Sequence, residues 1–207
     1  LGEYRGELVV SDVPVPLRII ELPFTLPSLT GRAFELQTVP GNLLVTVDGR
    51  SQEDGAAVLV RPRIGFAEQV VRLLYQSCDD TYAVVAAHSA KCLGIVGGSA
   101  NAGAEVVQAA SNGHASQRVR ILPNDDGSFT LIAQHSGLAW APRDPSPRDG
   151  ASSPVEQRGL ISPSAPVRDD RSTARFRLRP VRLMNDRALA LDFSGGVAPA
   201  AVVYREA

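Results

Sequence analysis

The chain has 207 residues, of which 44% are hydrophobic, and a net charge of −1 from 21 basic and 22 acidic side chains. This length and apolar share suit one domain with a core and exclude a wholly disordered chain. The near-zero net charge excludes a general attraction to nucleic acid, and no apolar run approaches the ~18 residues that a membrane-spanning helix requires. We therefore expect a globular domain with neither a nucleic-acid partner nor a membrane span.

An internal repeat organises the chain. A shift of 48 residues brings the segment from Phe34 onto the segment from Tyr82, and a further shift of 47 brings Tyr82 onto Phe129. Self-similarity of this kind indicates a repeat architecture. The third repeat also carries an extra segment, 162–172, rich in Ser, Pro and Asp. The matched positions in the first two repeats include Leu36 with Val84, Val45 with Leu93, 55–56 with 103–104, and 71–73 with 119–121.

Each repeat is predicted to form four short strands. In the second repeat they are 82–87, 92–96, 104–108 and 117–122. Val119 and Ile121 alternate with arginines, which is the period-2 pattern of a half-buried strand, and no repeat keeps a helical period. The Asn-Asp-Asp-Gly run at 124–127 predicts a turn between the second and third repeats.

Three such repeats predict an all-β chain, and a β-trefoil in particular, in which six strands close a short barrel and six form hairpins. We assign the repeats to 34–81, 82–128 and 129–181, an N-terminal extension to 1–33, and a partial fourth repeat to 182–207. Extra strands are expected at both termini, and the fourth repeat either packs on the trefoil or belongs to a neighbouring unit. A β-propeller is the alternative, although propellers usually have four or more blades.

The second repeat resembles a repeat of the ricin-type β-trefoil (ricin B-like lectin) family. The resemblance is carried by the aromatic first strand at 82–84, the HSAKCLGI run at 88–95, the GAEVVQ run at 103–108 and the QRV run at 117–119. The family has Gln-x-Trp where this chain has QRV. The resemblance covers 34–180 and implies a secreted trefoil that binds a glycan or glycoprotein and needs no cofactor.

In this family each sugar site lies mainly within one repeat. An Asp on the second strand accepts hydrogen bonds from two sugar hydroxyls, a ring on the third strand stacks on the apolar sugar face, and an Asn or Gln precedes the last strand. The three Asp positions hold Thr46, Gly94 and Ala141 (or Ala139, if a gap is placed earlier). No ring stands at the stacking positions, which are 60–61, 108–109 and 157–158.

The partial fourth repeat keeps the pair that the other repeats lack. Asp192 lies in a Leu-Asp-Phe context, and Tyr204 follows at the stacking position. The resemblance therefore implies a carbohydrate-binding site with Asp192 as the hydroxyl acceptor and Tyr204 as the stacking ring.

No catalytic or metal-binding motif stands in the sequence, so we expect no enzyme activity and no metal site. The His-Ser pairs at 88–89 and 135–136 occupy equivalent repeat positions, which indicates shared turn chemistry rather than a base beside a nucleophile. The Asp pairs at 79–80, 125–126 and 169–170 lie in turn-like contexts and favour solvated loops over a glycosidase pair.

The arginines of the third repeat leave two interpretations open. Arg175, Arg177 and Arg179 alternate along one predicted strand, and Arg72 and Arg120 match Arg177 in the repeat. This pattern is typical of an exposed barrel face, and it also suits an anionic partner such as a sulfated or sialylated glycan.

Trp140 and the two cysteines are equally ambiguous. Trp140 replaces Leu93 in the repeat, so it belongs to the core or, beside the prolines of 142–147, forms a binding platform. Cys78 and Cys92 form one bridge or remain free, and two cysteines are too few for a disulfide-rich scaffold.

We therefore expect a non-catalytic, lectin-like module. The alternative is a degenerate trefoil that binds protein, like a protease inhibitor or a targeting domain, through the loops 142–147 and 162–172. A third hypothesis is an accessory module of a larger enzyme, since the chain begins at Leu1 without a methionine.

Overall fold

The computed structural model describes residues 8–10, 13–15, 29–148, 151–159, 173–184 and 187–190. Short strands alternate with turns and single-turn 3-10 helices throughout this part of the chain. The strands are β1 (Leu8–Val10), β2 (Val13–Val15), β3 (Ala33–Thr38), β4 (Leu44–Val47), β5 (Val58–Arg61), β6 (Val71–Gln76), β7 (Thr81–Ala86), β8 (Cys92–Ile95), β9 (Val106–Ala109), β10 (Arg118–Pro123), β11 (Phe129–Ala133), β12 (Ala139–Pro142), β13 (Ser153–Arg158), β14 (Phe176–Met184) and β15 (Arg187–Ala190). The 3-10 helices are Asp48–Arg50, Ala67–Gln69, Val96–Gly98 and Ala115–Gln117.

Six strands close a barrel in the order β3, β6, β7, β10, β11, β14 and back to β3, and every pairing is antiparallel. The ring closes where β14 pairs with β3, with Leu178 opposite Leu36. Closure leaves neither strand with an unpaired edge, which removes the template for aggregation that an open sheet presents.

Three hairpins, β4–β5, β8–β9 and β12–β13, complete the fold. They share one register, in which Val45 pairs with Val60, Leu93 with Gln108 and Trp140 with Gln157. The hairpins also meet one another, because β13 pairs with β5 and single bridges join Ala57 to Val107 and Glu105 to Glu156. Six barrel strands and six hairpin strands form a β-trefoil, which confirms the predicted fold.

Alternation along the barrel strands builds the core. On β6, Val71 and Leu73 are buried while Arg72 and Leu74 face solvent. Trp140 is only 1% exposed and packs in the main cluster, so the core interpretation is confirmed and the binding-platform interpretation is wrong. The largest side chains buried with it are Tyr82, Phe176, Leu36, Leu73, Leu93 and Leu131.

The strands outside the trefoil lie near the two ends of the chain. The backbone of β1 pairs with that of β2, and β14 continues past residue 181 to pair with β15. Strand β14 thus crosses the point at which the sequence divides the third repeat from the partial fourth. The described residues contain no helix of the length and apolar character needed to cross a membrane.

Candidate functional site

The two residues predicted to bind sugar, Asp192 and Tyr204, lie outside the described residues, as does the segment 162–172. The described part of the chain instead contains the three central repeats, and in each of them one surface corresponds to the place where the family binds a sugar. We call these surfaces the ligand faces of repeats 1, 2 and 3, and each lies beside the second strand of its repeat: β4, β8 or β12.

The ligand face of repeat 1 is closed by side-chain contacts. Thr46, at the Asp position, is buried; its hydroxyl donates to the Leu44 carbonyl at 2.9 Å and accepts from Gln69 Nε2 at 3.1 Å. Ion pairs cover the surrounding surface, since Arg61 contacts Asp48 at 2.7 Å and Arg50 contacts Glu68 at 3.9 Å.

Two large apolar side chains stand exposed at the edge of the same face. Ile64 and Phe66 lie in the loop before β6 and are 45% and 38% exposed. Repeat 2 has Asn112 and His114 at the matching positions, so the two faces differ in polarity as well as in shape.

The ligand face of repeat 3 is filled by a charge cluster. Ala141, at the Asp position, is buried against Ala174, and its cross-strand neighbour is Glu156. Arg143 Nε donates to one oxygen of Glu156 at 2.7 Å, and Arg158 Nε donates to the other at 2.8 Å. Both carboxylate oxygens are therefore occupied by guanidinium groups.

The two guanidinium groups favour the ionised form of Glu156. Burial acts to raise the pKa of Glu156, but the hydrogen bonds and charges of Arg158 and Arg143 outweigh burial and hold the pKa below its ordinary value. Arg143 also bridges to Glu105 of repeat 2 at 2.8 Å, so the cluster ties two repeats together.

The ligand face of repeat 2 is open. A cleft of about 310 Å³ lies between the 3-10 helices Val96–Gly98 and Ala115–Gln117. Gly98 and Ser116 stand where repeat 1 has Arg50 and Glu68, so no long side chains meet across the gap. The lining residues of this repeat-2 cleft are Gly94, Ile95, Gly97, Gly98, Val107, Ala109, Asn112, His114, Ser116 and Gln117.

The cleft has no room for the family's carboxylate. A Cβ added to Gly94 would stand 2.8 Å from the Ser116 carbonyl oxygen and 2.9 Å from Gln117 Cγ, which is closer than real Cβ atoms approach. The Asp position is thus filled by backbone and side chain of the following loop, and any ligand must use other polar groups.

A chain of hydrogen bonds orders the polar rim of the cleft. The backbone N–H of His114 donates to Asn112 Oδ1 at 2.9 Å, and the backbone N–H of Ser116 donates to His114 Nδ1 at 3.2 Å. Gln117 Oε1 accepts from the Asn112 N–H, and Gln117 Nε2 donates to the Ala110 carbonyl. Sequence reasoning did not identify Asn112, His114 and Ser116; the signal was the small residues at 97–98 and 116.

The His-Ser pairs form braces between repeats. His88 Nε2 contacts the Ser51 carbonyl at 2.9 Å, and Ser89 Oγ donates to the buried Gln108. His135 and Ser136 make the same contacts with the Ser99 carbonyl and Gln157. Both nitrogen–carbonyl contacts reach into the preceding repeat, which supports their interpretation as structural turns.

The structure answers the two questions that the sequence left open about the cysteines and the repeated arginines. Cys78 is exposed, Cys92 is buried, and both are free thiols. Arg72, Arg120 and Arg177 are exposed on β6, β10 and β14, and no two of these strands are neighbours in the barrel. The equivalent arginines are therefore spread around the wall rather than gathered in one patch, and the part of the chain that the structure describes contains no cluster of metal-binding side chains.

Comparison with known proteins agrees with this architecture. Residues 67–157 match the family model described as a ricin-type beta-trefoil lectin domain-like family. No curated protein matches the sequence. The designed 3-fold symmetric protein ThreeFoil is similar over 70% of this chain and 96% of its own, with 29% identity and a TM-score of 0.61.

Two natural neighbours share the fold at lower identity. The Polyporus squamosus lectin, bound to a human-type influenza-binding epitope, matches 73% of this chain and 50% of its own, with 12% identity and a TM-score of 0.60. The exo-β-1,3-galactanase 1,3Gal43A of Clostridium thermocellum matches 72% of this chain but only 30% of its own, with 18% identity and a TM-score of 0.61. Lectins and an enzyme thus both carry this fold. The described part of the chain thus has the β-trefoil fold, and residues 67–157 are similar to the ricin-type beta-trefoil lectin domain-like family.

Proposed function

We propose that the chain is a non-catalytic, lectin-like module that binds a glycan or glycoprotein, and that it is secreted. The observation that carries this proposal is the repeat-2 cleft, which lies at the family's sugar position and stays open while the other two ligand faces are closed. Its volume of about 310 Å³ falls at the lower end of small-molecule sites, which span roughly 300–1,000 Å³, and suits a monosaccharide.

The lining of the cleft has the mixed character that a sugar requires. Val107 and Ala109 offer an apolar surface to the C–H groups of a sugar ring, and Asn112 and His114 offer polar groups at the rim. A sugar presents these two kinds of surface together, so such a lining favours saccharides over wholly apolar ligands.

Asp192 and Tyr204 remain our proposal for a second sugar site in the partial fourth repeat. Their side-chain types supply the hydroxyl acceptor and the stacking ring that the central repeats lack.

A glycan array tests the proposal with three proteins: the wild-type chain, the double variant Asn112→Ile/His114→Phe, and Asp192→Ala. The double variant gives repeat 2 the residues of repeat 1. We expect it to lose the glycans bound at the cleft and Asp192→Ala to lose those bound at the second site. Melting temperatures check that both variants remain folded. A wild-type chain that retains no glycan, and no monosaccharide at millimolar concentration, would contradict the proposal.

A protein partner is the second candidate function, favoured by the exposed pair Ile64 and Phe66. Exposed aromatic side chains are frequent anchors of protein interfaces. If this surface binds protein, Phe66→Ser abolishes capture of the partner and leaves glycan binding intact, whereas the cleft double variant has the opposite effect.

A further inference from the structure

The repeat-2 cleft offers hydrogen-bond donors where related lectins offer a carboxylate acceptor. None of its lining residues is Asp or Glu. The Ser116 hydroxyl lies 2.9 Å from His114 Nδ1 and is directed to that nitrogen, and Ser116 itself is only 6% exposed. The side-chain groups at the mouth are therefore the imidazole and the amide of the loop before β10.

The orientation of His114 is fixed by its backbone neighbours. Because the Ser116 N–H donates to Nδ1, the neutral ring carries its proton on Nε2. A Cβ added to Gly98 would lie 3.5 Å from His114 Cε1 and 3.8 Å from His114 Nδ1, so the Cε1–Nδ1 edge of the ring faces Gly98 across the cleft. Among the described residues Nε2 has no hydrogen-bond partner, which leaves this N–H for a ligand.

The amide of Asn112 is fixed in the same way. Its Oδ1 accepts the His114 N–H at 2.9 Å, which assigns the other end of the amide as Nδ2. Within the described part of the chain, Nδ2 also has no partner. His114 Nε2 and Asn112 Nδ2 are therefore two N–H donors at the border of the cleft, and both lie in the same hydrogen-bonded loop. No acceptor side chain of comparable exposure accompanies them in the cleft.

We propose that the repeat-2 cleft selects saccharides that carry an anionic oxygen group, a carboxylate or a sulfate, over neutral hexoses. This inference rests on the proposed function and names its ligand class. Anionic oxygens only accept hydrogen bonds, and bonds to a charged acceptor are about twice as strong as neutral ones. None of the residues that line the cleft carries a carboxylate that would repel such a group.

Titration by NMR at constant ionic strength tests the preference. The probes are methyl α-N-acetylneuraminide, methyl β-glucuronide, galactose 6-sulfate, methyl β-galactoside and sodium sulfate. We expect at least one anionic saccharide to bind about tenfold more tightly than the galactoside, since one hydrogen bond to a charged group is worth that ratio. The carboxylate and sulfate probes distinguish the two sources of the anionic group.

Three variants locate the effect. Asn112→Ile/His114→Phe removes both donors and should weaken the anionic saccharide about tenfold. The matched change in repeat 1, Ile64→Asn/Phe66→His, should leave binding unchanged. Ala109→Asp adds a carboxylate to the cleft and should abolish binding of the anionic saccharide while the galactoside still binds. Melting temperatures of all three variants check that the fold is kept.

The outcomes separate this inference from the function on which it rests. If the galactoside binds the cleft as tightly as the anionic saccharides, the carbohydrate function stands and the preference is wrong. If sodium sulfate binds as tightly as galactose 6-sulfate, the site recognises a free anion and the saccharide class is wrong. If no saccharide perturbs the cleft, or if removal of both donors changes nothing, both proposals for this cleft fail.

Discussion

Gly94 lies directly against Gln117: a Cβ added to Gly94 would stand 2.9 Å from Gln117 Cγ. Gln117 cannot easily yield, because its amide accepts from the Asn112 N–H and donates to the Ala110 carbonyl. The Asp position of repeat 2 is thus occupied by a hydrogen-bonded side chain.

Restoring the family residue at this position should therefore damage the protein rather than revive a sugar site. We expect Gly94→Ala and Gly94→Asp each to lower the free energy of unfolding by about 1–3 kcal/mol, as overpacking of a filled site does. Urea unfolding followed by Trp140 fluorescence measures this. Ala109→Ser, in the same cleft, is the control and should change stability by less than about 0.5 kcal/mol. A fully stable Gly94→Asp that binds galactoside would contradict the prediction.

The buried glutamines of the braces should contribute more to the free energy of unfolding than exposed glutamines do. Gln108 Nε2 donates to the carbonyls of Ser51 and Glu53 at 2.8 and 2.9 Å, and Gln108 Oε1 accepts from Ser89. Gln108→Leu leaves these buried groups unpaired and should cost about 2–4 kcal/mol of unfolding free energy.

Gln157→Leu, at the equivalent brace, should cost a similar amount. The control is Gln52→Leu, because the Gln52 amide makes only an exposed hydrogen bond to the His88 carbonyl. Chemical denaturation curves with equal slopes would isolate the stability change. Equal losses for Gln52→Leu and Gln108→Leu would rule out the brace as a special contribution.

The charge cluster of repeat 3 predicts a pH dependence of stability. Burial opposes ionisation of Glu156, but Arg158 and Arg143 overcome it, so the pKa in the folded state lies below the unfolded value. A carboxyl with a depressed folded pKa contributes its full stability above the unfolded pKa, near 4.3, and loses it as the pH falls through the folded pKa.

Thermal unfolding from pH 7 to pH 3 checks this dependence. Wild-type stability should fall more steeply than that of Glu156→Gln across the acidic end of the range, because the glutamine cannot be protonated there. The exposed acid variant Glu53→Gln serves as the control and should follow the wild type. Parallel curves for Glu156→Gln and the wild type would refute the assignment.

The cysteines give a direct test of exposure. Cys78 is exposed and Cys92 is buried, so one thiol per chain should react with a soluble thiol reagent under native conditions and two after unfolding. Cys78→Ser should remove the native reaction. A chain with no reactive thiol in either state would instead contain a disulfide, contrary to the structure.

Much of the fold could be predicted because the repeated pattern carries it. The predicted strand at 92–96 is observed as β8, Cys92–Ile95, and the predicted strand at 117–122 is observed as β10, Arg118–Pro123. The observed strand ends differ from the predicted ones by one or two residues, because a strand ends where its backbone pairing ends and not where the residue composition changes. The register also places Gln157 opposite Trp140, so the third hairpin has a longer connection than the uniform shift of 47 implies.

The candidate site was harder to predict because it depends on space rather than on residue type. The sequence shows that Thr46, Gly94 and Ala141 are not acidic, but only the structure shows that all three positions are filled. The cleft exists because Gly98 and Ser116 are small where repeat 1 has the long side chains of Arg50 and Glu68. A search for catalytic or ligand-like residues passes over such positions, whereas comparison with Arg50 and Glu68 of repeat 1 would have found them.

The pairing of β3 with β14 joins the two ends of the trefoil, which are far apart along the chain. A nascent chain that stops before Phe176 leaves β3 with one bare flank, and no local contact can cover it. Contacts between such distant segments form slowly. Between translation of β3 and translation of β14, the backbone of β3 therefore lacks the strand that covers this flank in the folded protein.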